Sequence, residues 1–356
     1  MWNQNRLTTL LTIKYPIIQA PMAGGPTTPE LVSAVSNCGG LGMVGAGYLS
    51  VEQLKSQIRL IKERTRSPFG VNLFVVEPPV VTEQAIEESF EELRYFRDKL
   101  DMSDDLPPME DSSPLEEYIH IIAEEEVPVC SFTFGIPPKP LISYLKERGI
   151  VVIGTATSVR EAIAVEEAGM DAVVVQGSEA GGHRGTFLSS EGEGMVGTMA
   201  LVPQVVDHVT IPVIASGGIM DGRGCAAAYM LGAEASQLGT VFLTTHESGA
   251  PDPHKKAILE ATEVDTVITN AFSGKHARGI RNTFTHRMKD KQHHIAPYPI
   301  QNRLTKLIRK EAAKRGEAQF MSLWAGQGTR LNQVIRVREL MGGIVEDMGK
   351  RLNGVK

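Results

Sequence analysis

Eight short apolar runs, each bounded by Gly, Pro or a polar turn, recur along the first 240 residues and constrain the chain more than any other feature. They occupy 16–20, 41–44, 69–74, 127–132, 150–154, 171–176, 211–215 and 235–238. Each run is short and continuously apolar rather than alternating, which is the pattern of a parallel strand buried on both faces. Amphipathic stretches such as 29–37, 158–168 and 222–231 fill the intervals. Three of them run into a glycine (Gly39, Gly169, Gly232), the residue that tolerates the positive φ of a helix C-cap. Eight strands alternating with helices predict an α/β fold of the (β/α)8, or TIM, barrel type. At 356 residues the chain is longer than the roughly 250 a barrel needs. Residues 1–245 are therefore expected to form the barrel, with 246–356 a smaller, mostly helical C-terminal segment packed on it.

Two segments break the rhythm, and both differ in charge. Residues 77–126 carry 17 acidic and 3 basic side chains, and read as a helical insertion with little apolar surface to bury, placed at the periphery. From Ser273 onward the balance reverses, with 18 Lys plus Arg against 6 Asp plus Glu, and a last amphipathic helix is expected over 331–352. A formal net charge of −6, sparse aromatics in the basic tail and no recognition motif argue against nucleic-acid binding. Cys38, Cys130 and Cys225 lie far apart and form neither a metal-binding spacing nor a disulfide framework. The first 16 residues lack a signal-peptide pattern and nowhere do about 18 apolar residues run together, so a cytoplasmic protein without membrane contact is expected.

Barrel enzymes place their chemistry at the C-terminal ends of the strands. Here those ends are rich in glycine and side-chain amides: Ala20 to Gly25, Gly45 to Gly47, Asn72, Gln176 to Glu179, Ser216 to Gly218, and Gly239 with Thr240. The last two loops predict a phosphate site, since glycines let backbone N–H groups approach an oxyanion. No P-loop lysine and no early G-x-G-x-x-G accompany them, which argues against nucleotide triphosphates and dinucleotides. Asn72 and Gln176 carry both donors and an acceptor. Each alone reads as a loop-capping group, but beside a phosphate site the pair suits the pyrimidine edge of a flavin, pointing to FMN. His183, in QGSEAGGHRG, is the only histidine among glycines directly after a strand, and its ordinary pKa suits proton transfer near neutrality. Glu179 and Arg184 beside it are expected to orient that loop, with attraction of an anionic substrate a second role open to Arg184.

The stretches YPIIQAPMAGG, GGLGMVGAGY, FGVNLFV, VCSFTFGIP, VIGTATS, AGMDAVVVQGSEAGGHRG, IPVIASGGIMDGRG and QLGTVFLTT resemble the nitronate monooxygenases, formerly 2-nitropropane dioxygenases. The likeness is strong to about residue 245 and continues more weakly through AFSGKHARG, YPIQNRLT and LWAGQG. It implies an FMN-bound barrel with a smaller helical part. Carried over onto matching positions, Asn72, Gln176, Gly181, Gly218, Gln237, Leu238, Gly239 and Thr240 hold FMN, Met22 lies against its ring system, and His183 is the catalytic residue. The implied reaction is oxidation of an alkyl nitronate, such as propionate 3-nitronate, or of a nitroalkane by molecular oxygen, giving a carbonyl compound and nitrite. The partners so implied are the small anionic nitronate and O2, with a homodimer left open. FMN-dependent enoyl-ACP reductases look similar around AGGHRG, so an NAD(P)H-dependent enoyl or quinone reductase is the alternative. A non-catalytic phosphate-binding barrel requires His183 to be idle. An IMP-dehydrogenase-like reaction lacks its nucleophile, because no cysteine lies in a glycine-rich strand-end loop.

Overall fold

All eight apolar runs form strands, within a few residues of their expected limits. The computed structural model describes residues 2–109, 114–189 and 192–353. The strands in chain order are β1 (Ile17–Gln19), β2 (Gly42–Gly45), β3 (Phe69–Phe74), β4 (Val129–Thr133), β5 (Val151–Ala156), β6 (Ala172–Gln176), β7 (Gly182–His183), β8 (Val213–Ser216), β9 (Ala235–Leu238), β10 (Thr266–Thr269) and β11 (Ala277–Ile280). The sheet order β1-β9-β8-β6-β5-β4-β3-β2 is parallel throughout, and a parallel bridge from Ile18 to Leu41 closes it into a barrel. β4 and β8 begin later than expected because Pro128 and Pro212 have no N–H to donate. Their carbonyls still accept from Val151 at 2.9 Å and Val173 at 3.0 Å.

Side chains alternate across each barrel strand. Along β6, Ala172 and Val174 point into the barrel with Met43, Val129, Ile153, Ile214 and Ala235. The helix Arg6–Leu11 plugs the bottom of that interior with Leu7 and Leu11. Val173 and Val175 point outward into the larger layer beneath the surrounding helices. Those helices begin where side chains satisfy their free N–H groups: Thr28 caps Pro29–Asn37, Ser50 and Gln53 form a capping box for Val51–Arg64, and Asp221 caps Gly222–Met230. Gly39, where the chain leaves the first of these, has φ +86°, as its position past a helix requires.

Two expectations need correction. The region after residue 245 is not only helix and loop: β10 and β11 pair antiparallel, and β11 pairs with β7, joining Ala277 to His183. A two-residue strand in a glycine loop has no periodicity to announce it, and its partner lies more than 90 residues away. The acidic insertion, for its part, is not poor in buried apolar surface. Its last helix, Leu115–Glu124, packs Ile119 and Ile122 into the barrel's outer layer. Its first two, Glu83–Glu91 and Arg94–Lys99, send Phe90, Leu93 and Phe96 into a second core with Phe272, Phe284, Leu304 and Ile308. Glu83, Glu87, Glu88 and Glu91 stay on the outer face, which is why charge counting alone misplaces the segment. Part of this acidic segment, 110–113, lies outside the described residues. The final helix starts later than expected, at Val337–Asn353, after a short 3-10 turn at Thr329–Leu331.

Candidate active site

β7 and β11 lift the loop after β6 across the mouth of the barrel and set His183 at its centre. Gln176, at the end of β6, anchors this loop: its Nε2 donates to the His183 carbonyl at 3.0 Å and its Oε1 accepts from the Gly185 N–H at 2.9 Å. Arg184 is 3% exposed, and its guanidinium is spent on carbonyls of Gln176 (3.0 Å), Gly177 (2.7 Å) and Gly194 (3.1 Å). Of its two expected roles the geometry supports loop orientation. Glu179 accepts from the Thr198 N–H with both oxygens at 2.9 Å, tying the same loop to the helix Thr198–Val206.

The His183 ring is surrounded by three aromatic side chains, Phe134, Tyr298 and Trp324, with centroids 5.8, 6.0 and 5.4 Å away. Phe134 follows β4 with φ +77°, a conformation that is a genuine outlier for so bulky a residue. It also meets Phe74 at 4.6 Å, which in turn meets Tyr48 at 5.7 Å, extending the aromatic wall. The imidazole Nε2 lies 2.8 Å from the Ser273 hydroxyl. Burial, reinforced by the charges of Arg309 and Lys275, pushes the His183 pKa down to about 3, so the ring is neutral at neutral pH. Burial also raises the Tyr48 and Tyr298 phenols, which stay protonated as donors. Lys275 donates to the Thr186 carbonyl at 2.9 Å, and Arg309 binds Asn302 and Thr305.

The other sequence candidates lie at or just past the strand ends. Asn72 is 3% exposed and donates to the hydroxyls of Ser131 (2.9 Å) and Thr133 (3.1 Å). Met22 is half-buried and touches both the barrel layer and the second core, at their junction. Gly218 has φ +71°, and Gln237 lies level with Ser216 in the β8–β9 ladder, followed by wholly buried Leu238. At Gly239 an added Cβ would meet Ala20 at 3.5 Å, an ordinary contact, so a methyl group fits there. Thr240 accepts from the Gly326 N–H at 2.9 Å. At Gly181 an added Cβ would lie 2.5 Å from the backbone of Ala325 and Gly326, so this glycine is required where the C-terminal segment threads past.

Sequence reasoning singled out His183 but not the residues that surround it. Ser273, Tyr298 and Trp324 lie in AFSGKHARG, YPIQNRLT and LWAGQG, where family likeness was the only signal. Nothing in their spacing shows that they meet one ring. Among the described residues no helix is long and apolar enough to cross a membrane, and no group of three metal-ligating side chains occurs.

Comparison with known proteins accounts for this arrangement. The nitronate monooxygenase family model matches residues 4–347. The chain is 49% identical to a probable nitronate monooxygenase of Staphylococcus haemolyticus, with 100% of each chain covered. It is 50% identical to the one of Staphylococcus aureus strain Newman, covering 98% of this chain and 99% of that one. Among solved structures, the nitroalkane oxidase of Streptomyces ansochromogenes superposes with a TM-score of 0.91 at 38% identity, covering 99% of this chain and 100% of that one. FabK of Thermotoga maritima is less similar, with a TM-score of 0.79 at 32% identity and coverage of 99% and 98%. A family match over nearly the whole chain, relatives at half identity and a barrel that superposes on a nitroalkane oxidase agree: this chain is an oxidoreductase and belongs to the nitronate monooxygenase family.

Proposed function

We propose that the protein oxidises small alkyl nitronates, and more slowly their parent nitroalkanes, with bound FMN and molecular oxygen, releasing a carbonyl compound and nitrite. The observation that carries this reading is His183, a neutral imidazole held in an aromatic enclosure on the loop that Gln176 anchors at the end of β6. A base whose pKa is pulled so low takes a carbon-bound proton reluctantly. A nitronate has already lost that proton, and the cations Arg309 and Lys275 that disfavour imidazolium favour an anionic substrate beside it. Their charges thus support a nitronate as the preferred substrate.

The residues present fit an FMN. Both Asn72 N–H groups point at hydroxyls of β4, which leaves its carbonyl as an acceptor. The Gln176 carbonyl is taken by the loop, and one of its two N–H groups remains as a donor. One acceptor and one donor complement the imide and carbonyl groups of a flavin's pyrimidine edge. Backbone N–H groups of Gly218, Gly239 and Thr240 would hold the phosphate, Gln237, Leu238 and Gly181 would flank it, and Met22 would lie against the ring system. When bound, the flavin supplies an acceptor for the substrate's electrons and a route for them to oxygen. His183 removes the α-proton of a neutral nitroalkane and, once protonated, hydrogen-bonds the nitro oxygens of the nitronate so formed, while Phe134, Tyr298 and Trp324 exclude water.

The test is to purify the yellow protein, release the chromophore with acid, identify it by chromatography, and mix the holoenzyme anaerobically with a nitronate and separately with NADPH. FMN, bleached by the nitronate, is expected. Rapid bleaching by NADPH with no response to nitronates replaces this reading with an enoyl or quinone reductase.

A further inference from the structure

The turn that supplies Ser273 is held unusually firmly for a loop at the mouth of a barrel. Ser273 is 1% exposed, and both its own N–H and that of Gly274 bond the Asn270 carbonyl, at 3.1 and 2.7 Å. Gly274 has φ +83°, and an added Cβ there would lie 2.3 Å from the Ala296 carbonyl, so only glycine lets this turn seat against the segment that carries Tyr298. The chain then continues into β11, where Ala277 pairs with His183 and the Arg184 N–H bonds the His276 carbonyl at 2.9 Å. His183 is therefore fixed by backbone pairing to the same segment whose hydroxyl meets its ring.

The Ser273 oxygen has one proton and two lone pairs. The Lys275 carbonyl, 3.1 Å away, can only accept and so can take that proton, while one lone pair faces the Lys275 N–H at 3.3 Å. With the proton so placed, the remaining lone pair faces His183 Nε2 at 2.8 Å, and the ring nitrogen on that side donates. A neutral imidazole has a single ring proton, and the bond made by one nitrogen decides the state of the other. Nδ1 makes no hydrogen bond among the described residues, and His183 is half-buried rather than sealed off.

We propose that Ser273 is a positioning residue that fixes His183 as the Nε2–H tautomer, so that the bare Nδ1 is the atom that meets the substrate. The base role rests on the function proposed above; the tautomer does not. With a neutral nitroalkane, the α-proton passes to Nδ1 and the C–H electron pair becomes the carbon–nitrogen double bond of the nitronate, with the negative charge on the nitro oxygens. The imidazolium so formed keeps its Nε2 proton on Ser273. With a preformed nitronate no proton moves, and the hydroxyl only orients the ring.

The experiment uses holoenzyme labelled with 15N in its histidine rings, with the His183 signals identified by their loss in His183→Gln. Wild type is expected to show a protonated Nε2 and a bare Nδ1, and Ser273→Ala a mixture of tautomers. Turnover of a neutral nitroalkane should fall about 10- to 100-fold in Ser273→Ala, while a preformed nitronate changes by less than about threefold, because only the first needs a positioned base. A protonated Nδ1 in wild type overturns the proposal, and this needs no variant. So does a tautomer that Ser273→Ala leaves unchanged, or an equal loss with both substrates. If wild type turns over neither substrate, the proposed function falls, while the NMR signals still decide the role of Ser273.

Discussion

His183 is neutral because desolvation and two neighbouring cations act in the same direction, and this sets what its loss should do. In His183→Ala the flavin is expected to stay bound, since no cofactor contact assigned above uses the imidazole. Oxidation of a neutral nitroalkane should drop by about 10² to 10⁴, the usual contribution of a general base, and oxidation of a nitronate by much less. Steady-state rates with the two substrate forms, alongside the flavin absorbance, check this; an equal loss with both contradicts it. The glycine loops allow a second single-residue test. Gly218 is a poor site for it, because its positive φ makes any side chain strained whether or not a ligand binds. Gly239 has φ −114° and room for a Cβ, in ordinary contact with Ala20 at 3.5 Å. Gly239→Ala should therefore fold like wild type yet weaken flavin binding by tenfold or more, about 1.4 kcal/mol, as read by flavin release on dilution. Unchanged affinity would place the phosphate elsewhere.

At the scale of elements, the helices Glu83–Glu91 and Arg94–Lys99 carry more of the fold than their charge indicates. Phe96 is 1% exposed, stacks on Phe284 at 4.1 Å and meets Phe320 at 5.4 Å; Phe284 in turn stacks on Phe272, which touches Trp324. Trp324 lies against His183. Phe96→Ala is expected to destabilise the protein by about 3–5 kcal/mol, the range for deleting a buried phenyl ring, measured as a shift in the urea midpoint. A loss under about 1 kcal/mol would mean that this second core closes over the gap. Composition could not reveal this role. A segment with 17 acidic residues can still present one apolar stripe, and whether that stripe finds a partner depends on residues 272–308, which lie far along the chain.

For the molecule as a whole, the buried histidines link stability to pH. His254 is 5% exposed, pairs with the Trp324 carbonyl at 2.9 Å, and has its pKa pushed down by burial to about 4. Between pH 6.5 and about 4 the unfolded chain takes up a proton at this residue that the folded chain refuses. Folding stability is therefore unaffected by His254 above pH 6.5, and falls below it by up to about 1.4 kcal/mol per pH unit. His183 acts in the same direction. Urea unfolding at pH 7.5, 6 and 5 should show this decline, and His254→Gln should make it shallower by roughly that slope; an identical slope in the variant removes the assignment.

What the sequence determined by itself was everything carried by local pattern. The eight barrel strands follow from short apolar runs, the helix limits from Thr28, Ser50 and Asp221, and the turn at Gly39 from the need for positive φ. His183 was legible because it stands among glycines just past a strand, where a barrel exposes its chemistry. The tertiary structure decided which groups surround that histidine. Ser273, Tyr298 and Trp324 arrive through the pairing of a two-residue strand with β11 and through a core shared by the insertion and the C-terminal segment. Neither contact leaves a period in the sequence, because both join residues that become neighbours only once apolar faces far apart in the chain have been buried against each other.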